Sequence, residues 1–193
     1  MPHPEVSCGT GADFILSMRT VEVAPSGSLV ITMPSAMPHP DYVFDQNDLK
    51  VVEGINDAGL TFSVQSCSQA SGQQARLEKD QAAVSAQDLG AWVPCRFSTV
   101  PDVKAALLDL HVVLKPTPIL GGLEMPFHYC VRDRSGTGLV IEIHHGVRTI
   151  YDNPVSVMTN APAFSWHLTN LNNCTFLANV DHAKATFGSF AAE

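Results

Sequence analysis

Residues 127–151 read FHYCVRDRSGTGLVIEIHHGVRTIY and leave few folds open. Three short runs, 127–132, 138–143 and 147–151, are rich in β-branched and aromatic residues. The residues between them, 133–136 and 145–146, tolerate tight backbone geometry, so the stretch predicts a three-stranded β-meander. In the middle run Leu139, Val140, Ile141 and Ile143 are apolar on both faces. Such a strand is covered on both sides, which asks for a layered protein. After the meander comes Thr159-Asn160-Ala161-Pro162, a polar pair at a strand exit stopped by proline. Pro162 turns Ala161 away from helical geometry, and an amide placed there can point into a cleft instead of pairing in a ladder.

The rest of the chain is organised around more sheet and two helices. Residues 51–66, VVEGINDAGLTFSVQS, predict a hairpin turning at 56–59. Strands are also expected at 14–16 and, after a turn at 25–27, at 28–33. Residues 81–92 have helical composition, with Ala82, Leu89 and Trp92 available for a buried face, and 94–97 break it. A second helix begins at Thr99, where Thr99 and Asp102 have capping-box spacing. Val103, Leu107, Leu110 and Leu114 recur at helical intervals until Pro116 and Pro118. Residues 68–79 and Gly121-Gly122 read as loop, 41–48 as no element, and 174–193 as ambiguous. Strands, two helices and strands again give an α+β chain with a helical layer over an antiparallel sheet. The expected organisation is a leader at 1–7 and one domain over 8–193.

Charge and cysteine content exclude several classes. With 11 basic and 19 acidic residues the net charge is −8, which argues against nucleic acid. No apolar run approaches the ~18 residues of a membrane span. Residues 1–7 lack the basic and apolar regions of a signal peptide. The five cysteines are scattered, without a CxxC or a Cys/His cluster, so neither a disulfide framework nor a zinc site is expected. Reduced thiols in the cytoplasm are the expectation.

Several stretches resemble one family. A strand ending D-x-x-G-x-x-x-x-I-E at 133–142, followed by VMTNAPAFSWHLTNL at 157–171, is similar to the penicillin V acylase and bile salt hydrolase family of N-terminal nucleophile hydrolases. GINDAGL at 54–60 resembles that family's hairpin. DLGAWV with STVPDVKAAL resembles its paired helices, and PILGGLEMPFHYCVRDRSG its return into the second sheet. The resemblance implies an αββα four-layer sandwich, incomplete here, and hydrolysis of linear amide C–N bonds by the first residue of a processed chain.

It also implies a set of site residues. Cys8 would be the nucleophile. A thiol of pKa ~8.5 is mostly protonated at neutral pH, and an α-amine of pKa ~7.7–8.0 on the same residue could accept its proton. That requires the Ser7–Cys8 bond to be cut, autocatalytically in the family. Arg19-Thr20-Val21-Glu22 is similar to the family's R-[ST]-[ML]-[DE], where the arginine steadies the thiolate and the carboxylate bonds the terminal amine. Spaced three apart in a strand, the two would face opposite sides. Asn160 corresponds to an asparagine whose side-chain N–H stabilises the oxyanion, and Ser66 to the second oxyanion position, through its backbone N–H.

His144-His145 is expected in a solvated turn. His128 and His167 are expected to be structural, and Cys130 a buried apolar thiol.

The chain departs from the family in its short intervals from Cys8 to Arg19 and from Glu22 to Gly54. It also lacks the family's later G-L-P-G-D segment. Two readings follow: an amidohydrolase acting on a small acyl amide without metal or cofactor, or a non-catalytic or fragmentary homologue that binds. Homo-oligomerisation is compatible with either.

Overall fold

A computed structural model describes residues 17–23, 26–34, 49–68, 70, 82–124, 127–174, 185–187 and 190–192. The first strands are β1 (Ser17–Val23), β2 (Ser26–Pro34), β3 (Leu49–Asn56), β4 (Thr61–Ser66) and the short β5 (Ala83–Ser85). Helices α1 (Leu89–Arg96) and α2 (Val100–Asp109) follow, then β6 (His111–Val113), β7 (Pro116–Thr117) and β8 (Leu123–Glu124). The meander is β9 (Phe127–Arg132), β10 (Gly138–His144) and β11 (Val147–Asp152). Helix α3 (Phe164–Asn173) and a small hairpin, β12 (Ala185–Phe187) with β13 (Phe190–Ala192), complete the described elements.

One seven-stranded antiparallel sheet, ordered β1-β2-β3-β4-β9-β10-β11, organises these elements. Helices α1 and α2 cover one face. There Leu89, Val93, Val100, Val103 and Leu107 pack with Phe62, Tyr129, Val131, Leu139 and Ile141. On the other face Cys130 and Val140 pack with Phe164 of α3. Residues 138–143 are all buried, as a strand covered on both sides must be.

The meander and the 51–66 hairpin form where their turn residues place them. Gly59 and Gly136 hold the two turns at positive φ, where a Cβ would be strained. Asn56 does more than turn the hairpin. Its Oδ1 accepts from Leu60 N–H at 2.9 Å, while Nδ2 donates to the carbonyls of Pro94 (2.9 Å) and Phe97 (2.8 Å), tying the hairpin to the end of α1.

The helices depart from the sequence reading in extent. Residues 83–85 form a strand parallel to β6, and α1 begins only at Leu89. Pro94 lies inside α1 instead of ending it. Tertiary contact sets this helix: Gly90 lies so close to β3 that a Cβ there would sit 2.1 Å from the Val51 carbonyl oxygen. Helix α2 starts as its cap predicts, with Thr99 Oγ1 accepting from Asp102 N–H at 3.4 Å, but it ends at Asp109. Leu110 and Leu114 therefore lie beyond the helix, because the chain switches to β6 to pair with β5. Arg19 and Glu22 lie within β1, paired across from Val30 and Gly27. The expected strand at 14–16 and the leader lie outside the described residues.

Candidate active site

The site is built where β4 ends and the segment after β11 returns over the sheet. Ser66, the last residue of β4, pairs with Phe127, the first of β9. Asn153, 4 % exposed, starts the return. Its Oδ1 accepts from Val155 and Ser156 N–H at 3.1 and 3.0 Å, and its Nδ2 donates to the Val157 carbonyl at 3.2 Å. Arg132 Nη1 holds the Ser156 carbonyl at 2.7 Å. Side chains thus fix the backbone of this irregular segment, which pairs in no strand ladder.

The next residues meet β4 directly. Ser66 N–H donates to Asn160 Oδ1 at 2.9 Å, and Ala161 N–H donates to the Ser66 carbonyl at 2.6 Å. With Oδ1 accepting from a backbone N–H, the amide orientation is fixed and Nδ2 is left as the outward donor. Among the described residues, Asn160 Nδ2 has no acceptor. His167 Nε2 donates to the Asn160 carbonyl at 3.0 Å from the first turns of α3.

Behind this segment lies a buried polar network that the sequence reading did not assemble. His128 is fully buried and Glu142 is 2 % exposed. His128 Nδ1 lies 3.0 Å from Glu142 Oε1, and its Nε2 lies 2.8 Å from the Thr159 carbonyl oxygen. Both partners are acceptors, so each ring nitrogen of His128 faces an oxygen that a ring N–H can reach. Glu142 Oε1 also accepts from Phe164 N–H at 2.7 Å, at the start of α3. Burial pushes the Glu142 carboxyl up, but the bonds from His128 and Phe164 outweigh it and hold it below its usual range.

His144, expected in a solvated turn, instead ends β10, with Nε2 3.9 Å from Glu142 Oε2 and 3.8 Å from Cys67 Sγ. His145 alone of that pair sits in the turn. Cys130 is buried on β9, and burial raises its thiol pKa.

Of the expected site residues, Asn160 and Ser66 come together. Ser66 N–H, the expected oxyanion donor, is engaged by Asn160 Oδ1. Arg19 and Glu22 are placed by backbone register alone, on β1, separated from β4 by two strands, β2 and β3. Cys8 lies outside the described residues. The chain enters β1 at Ser17, at the same end of the sheet where β4 leaves at Ser66. No disulfide joins Cys67, Cys95, Cys130 or Cys174. Among the described residues no helix is long and apolar enough to cross a membrane.

Residues 43–191 match the family of linear amide C–N hydrolases, choloylglycine hydrolase family. The chain belongs to the choloylglycine hydrolase family. A bile salt hydrolase/transferase of Clostridium perfringens is 35% identical over 82 residues, 42% of this chain and 24% of that protein. A bile salt hydrolase/transferase of Lactiplantibacillus plantarum is 32% identical over 108 residues, 54% of this chain and 32% of that protein.

Among solved structures, conjugated bile acid hydrolase from Clostridium perfringens superposes with a TM-score of 0.65 at 22% identity, over 86% of this chain and 48% of that one. Penicillin V acylase from Agrobacterium tumefaciens gives 0.59 at 19% identity, over 83% and 46%. The likeness shows the α+β N-terminal nucleophile hydrolase fold. The matched region spans about half the length of those solved structures, and less of the curated relatives.

Proposed function

We propose that this choloylglycine hydrolase family chain cleaves linear amides with Cys8 as an N-terminal nucleophile, exposed by cutting the Ser7–Cys8 bond. The observation that carries the reading is the Ser66–Asn160 pair, which leaves Asn160 Nδ2 as a held donor at the sheet end where β1 begins. Cys8 precedes Ser17 by nine residues. An extended chain spans at most ~3.3–3.6 Å per residue, about 30 Å for that stretch. The three strand spacings from β1 to β4 are about 4.8 Å each, roughly 14 Å in all, so the reach is sufficient.

In this scheme the Cys8 α-amine takes the thiol proton and the thiolate attacks the amide carbonyl carbon. The developing oxyanion accepts from Asn160 Nδ2–H, with Ser66 N–H fixing the asparagine. The ammonium returns its proton to the leaving amine as the C–N bond breaks, giving a thioester. Water then attacks the thioester carbonyl carbon as the amine takes its proton, and when the C–S bond breaks the ammonium returns that proton to the Cys8 sulfur, releasing a carboxylic acid. Arg19 would steady the thiolate and Glu22 the terminal ammonium. A groove of about 440 Å³ lined by Leu29, Ile31, Glu53 and Ile55, on the sheet face that also bears α3, supports an apolar acyl group as the acid half. Conjugated bile salts and phenoxyacetyl penicillins both fit that chemistry.

Intact-mass analysis of the purified chain, paired with amine release from a glycine-conjugated bile salt and from penicillin V, tests the reading. Loss of residues 1–7, with turnover abolished by Cys8→Ser, is expected. A folded chain that retains Ser7 has no Cys8 amine and overturns it, leaving a binding homologue.

A further inference from the structure

We propose that the buried, hydrogen-bonded His128–Glu142 pair is the positioning device for Asn160, so that these two residues set the oxyanion donor without touching substrate. The inference rests on the amidohydrolase reading above for its catalytic consequence, but its structural content stands apart from it.

The argument is the placement of the anchors. The segment carrying Asn160 is fixed just before it by His128 Nε2 at the Thr159 carbonyl, and after it by Phe164 N–H on Glu142 Oε1. Both bonds lead to one carboxylate, because His128 Nδ1 also faces Glu142 Oε1. Between those anchors, among the described residues, the exchange with Ser66 ties Asn160 and Ala161 to the sheet. One carboxylate oxygen, Glu142 Oε1, thus holds both the His128 ring and the Phe164 N–H. Replacing Glu142 by a neutral group weakens or removes that shared acceptor. Losing either anchor frees one side of the segment, and the Asn160 amide is no longer held against β4. A donor displaced by about 1 Å costs on the order of 10²-fold in rate, while substrate binding elsewhere is untouched.

The test compares the full-length chain with Glu142→Gln, which keeps size and an acceptor but not charge, and with Glu142→Ala. Amide hydrogen exchange by NMR is read at Ser66 and Ala161, with Val140 in the middle of β10 as the reference. The expected result is at least about tenfold faster exchange at Ser66 and Ala161 in Glu142→Gln and an unchanged Val140. Where the wild-type chain turns over amide, kcat should fall by about 10- to 100-fold with KM within about threefold, Gln retaining more than Ala. Unchanged exchange at Ser66 and Ala161 overturns the proposal, as does an equal rise at Val140 or a rise in KM with kcat intact. A wild-type chain without hydrolase activity removes the proposed function alone, and the exchange result still decides the positioning role. If Glu142→Ala does not fold, Glu142→Gln decides by itself.

Discussion

Ser66 and Asn160, 94 positions apart in the chain, are joined by a 2.9 Å bond from the Ser66 backbone N–H to the Asn160 side-chain oxygen. The same residue of β4 accepts from the next amide, Ala161 N–H, at 2.6 Å. The two bonds make a short extension of the sheet in which the strand end and the returning segment share one rung. An exposed asparagine would ordinarily sample several rotamers; here its amide plane is fixed before any substrate arrives. That is the condition for a donor to act on a transition state without reorganising first.

Asn160→Ala and Asn160→Asp therefore separate two roles. Aspartate keeps an oxygen for Ser66 N–H but replaces the outward N–H with an acceptor bearing negative charge. Alanine loses both. Each variant is expected to lower kcat by roughly 10²–10³ with little change in KM, since the donor meets full charge only in the tetrahedral intermediate. Thermal melts should show alanine less stable than aspartate. Steady-state kinetics on the better of the two amides check this, and wild-type kcat in a normally melting Asn160→Asp would make Asn160 a turn residue.

How much of this was readable follows the range of the interactions. The meander and the 51–66 hairpin were legible because their signals are local: β-rich runs with Asn, Asp and Gly between them. Helix α1 was not. Its place depends on Gly90 fitting against Val51 and on Asn56 holding the carbonyls at its end, contacts about forty residues distant. Leu110 and Leu114 kept helical spacing, yet the parallel pairing of β6 with β5 won over it. The resemblance pointed to Asn160 and Ser66, whereas their bond needed coordinates. Glu142 was overlooked although its signal was present. A carboxylate inside a strand apolar on both faces must be paired, and that alone marks it for attention.

Gly90→Ala sets two known effects against each other. Gly90 is the second residue of α1, where alanine is favoured over glycine by at most the ~1 kcal/mol of a helix interior. Against that, a Cβ at Gly90 would meet the Val51 carbonyl oxygen at 2.1 Å and the Val51 Cβ at 2.9 Å. The obstructing oxygen is backbone inside β3, so no rotamer change relieves it, and the helix must lift from the sheet. Overpacking of this kind costs about 1–3 kcal/mol or more, which exceeds the propensity gain. Gly90→Ala should unfold at lower urea concentration than wild type; a raised midpoint would show that α1 shifts freely on β3.

Acid should unfold the chain through carboxylates that the fold holds ionised. At Asp133 burial acts to raise the pKa, but the bonds from Ser135, the Val100 N–H at the start of α2 and Thr137 outweigh it and lower it. Asp133 Oδ2 accepts from Val100 N–H at 2.9 Å, and Oδ1 from Ser135 N–H at 3.0 Å. Glu142 is likewise lowered on balance. A group depressed in the folded state contributes stability that is complete above its unfolded pKa, ~3.9 for Asp and ~4.3 for Glu. That stability is lost as pH falls through the folded value. Stability should thus be level in this respect above about pH 5 and decline below about pH 4. Asp133→Asn removes one of the two contributions, so it should be less stable than wild type at neutral pH, with the gap closing as pH drops below about 4. Urea titrations of both proteins at a series of pH values measure that gap. A gap that stays constant into acid would mean that Asp133 acts through shape alone, and that its charge does not help hold the start of α2.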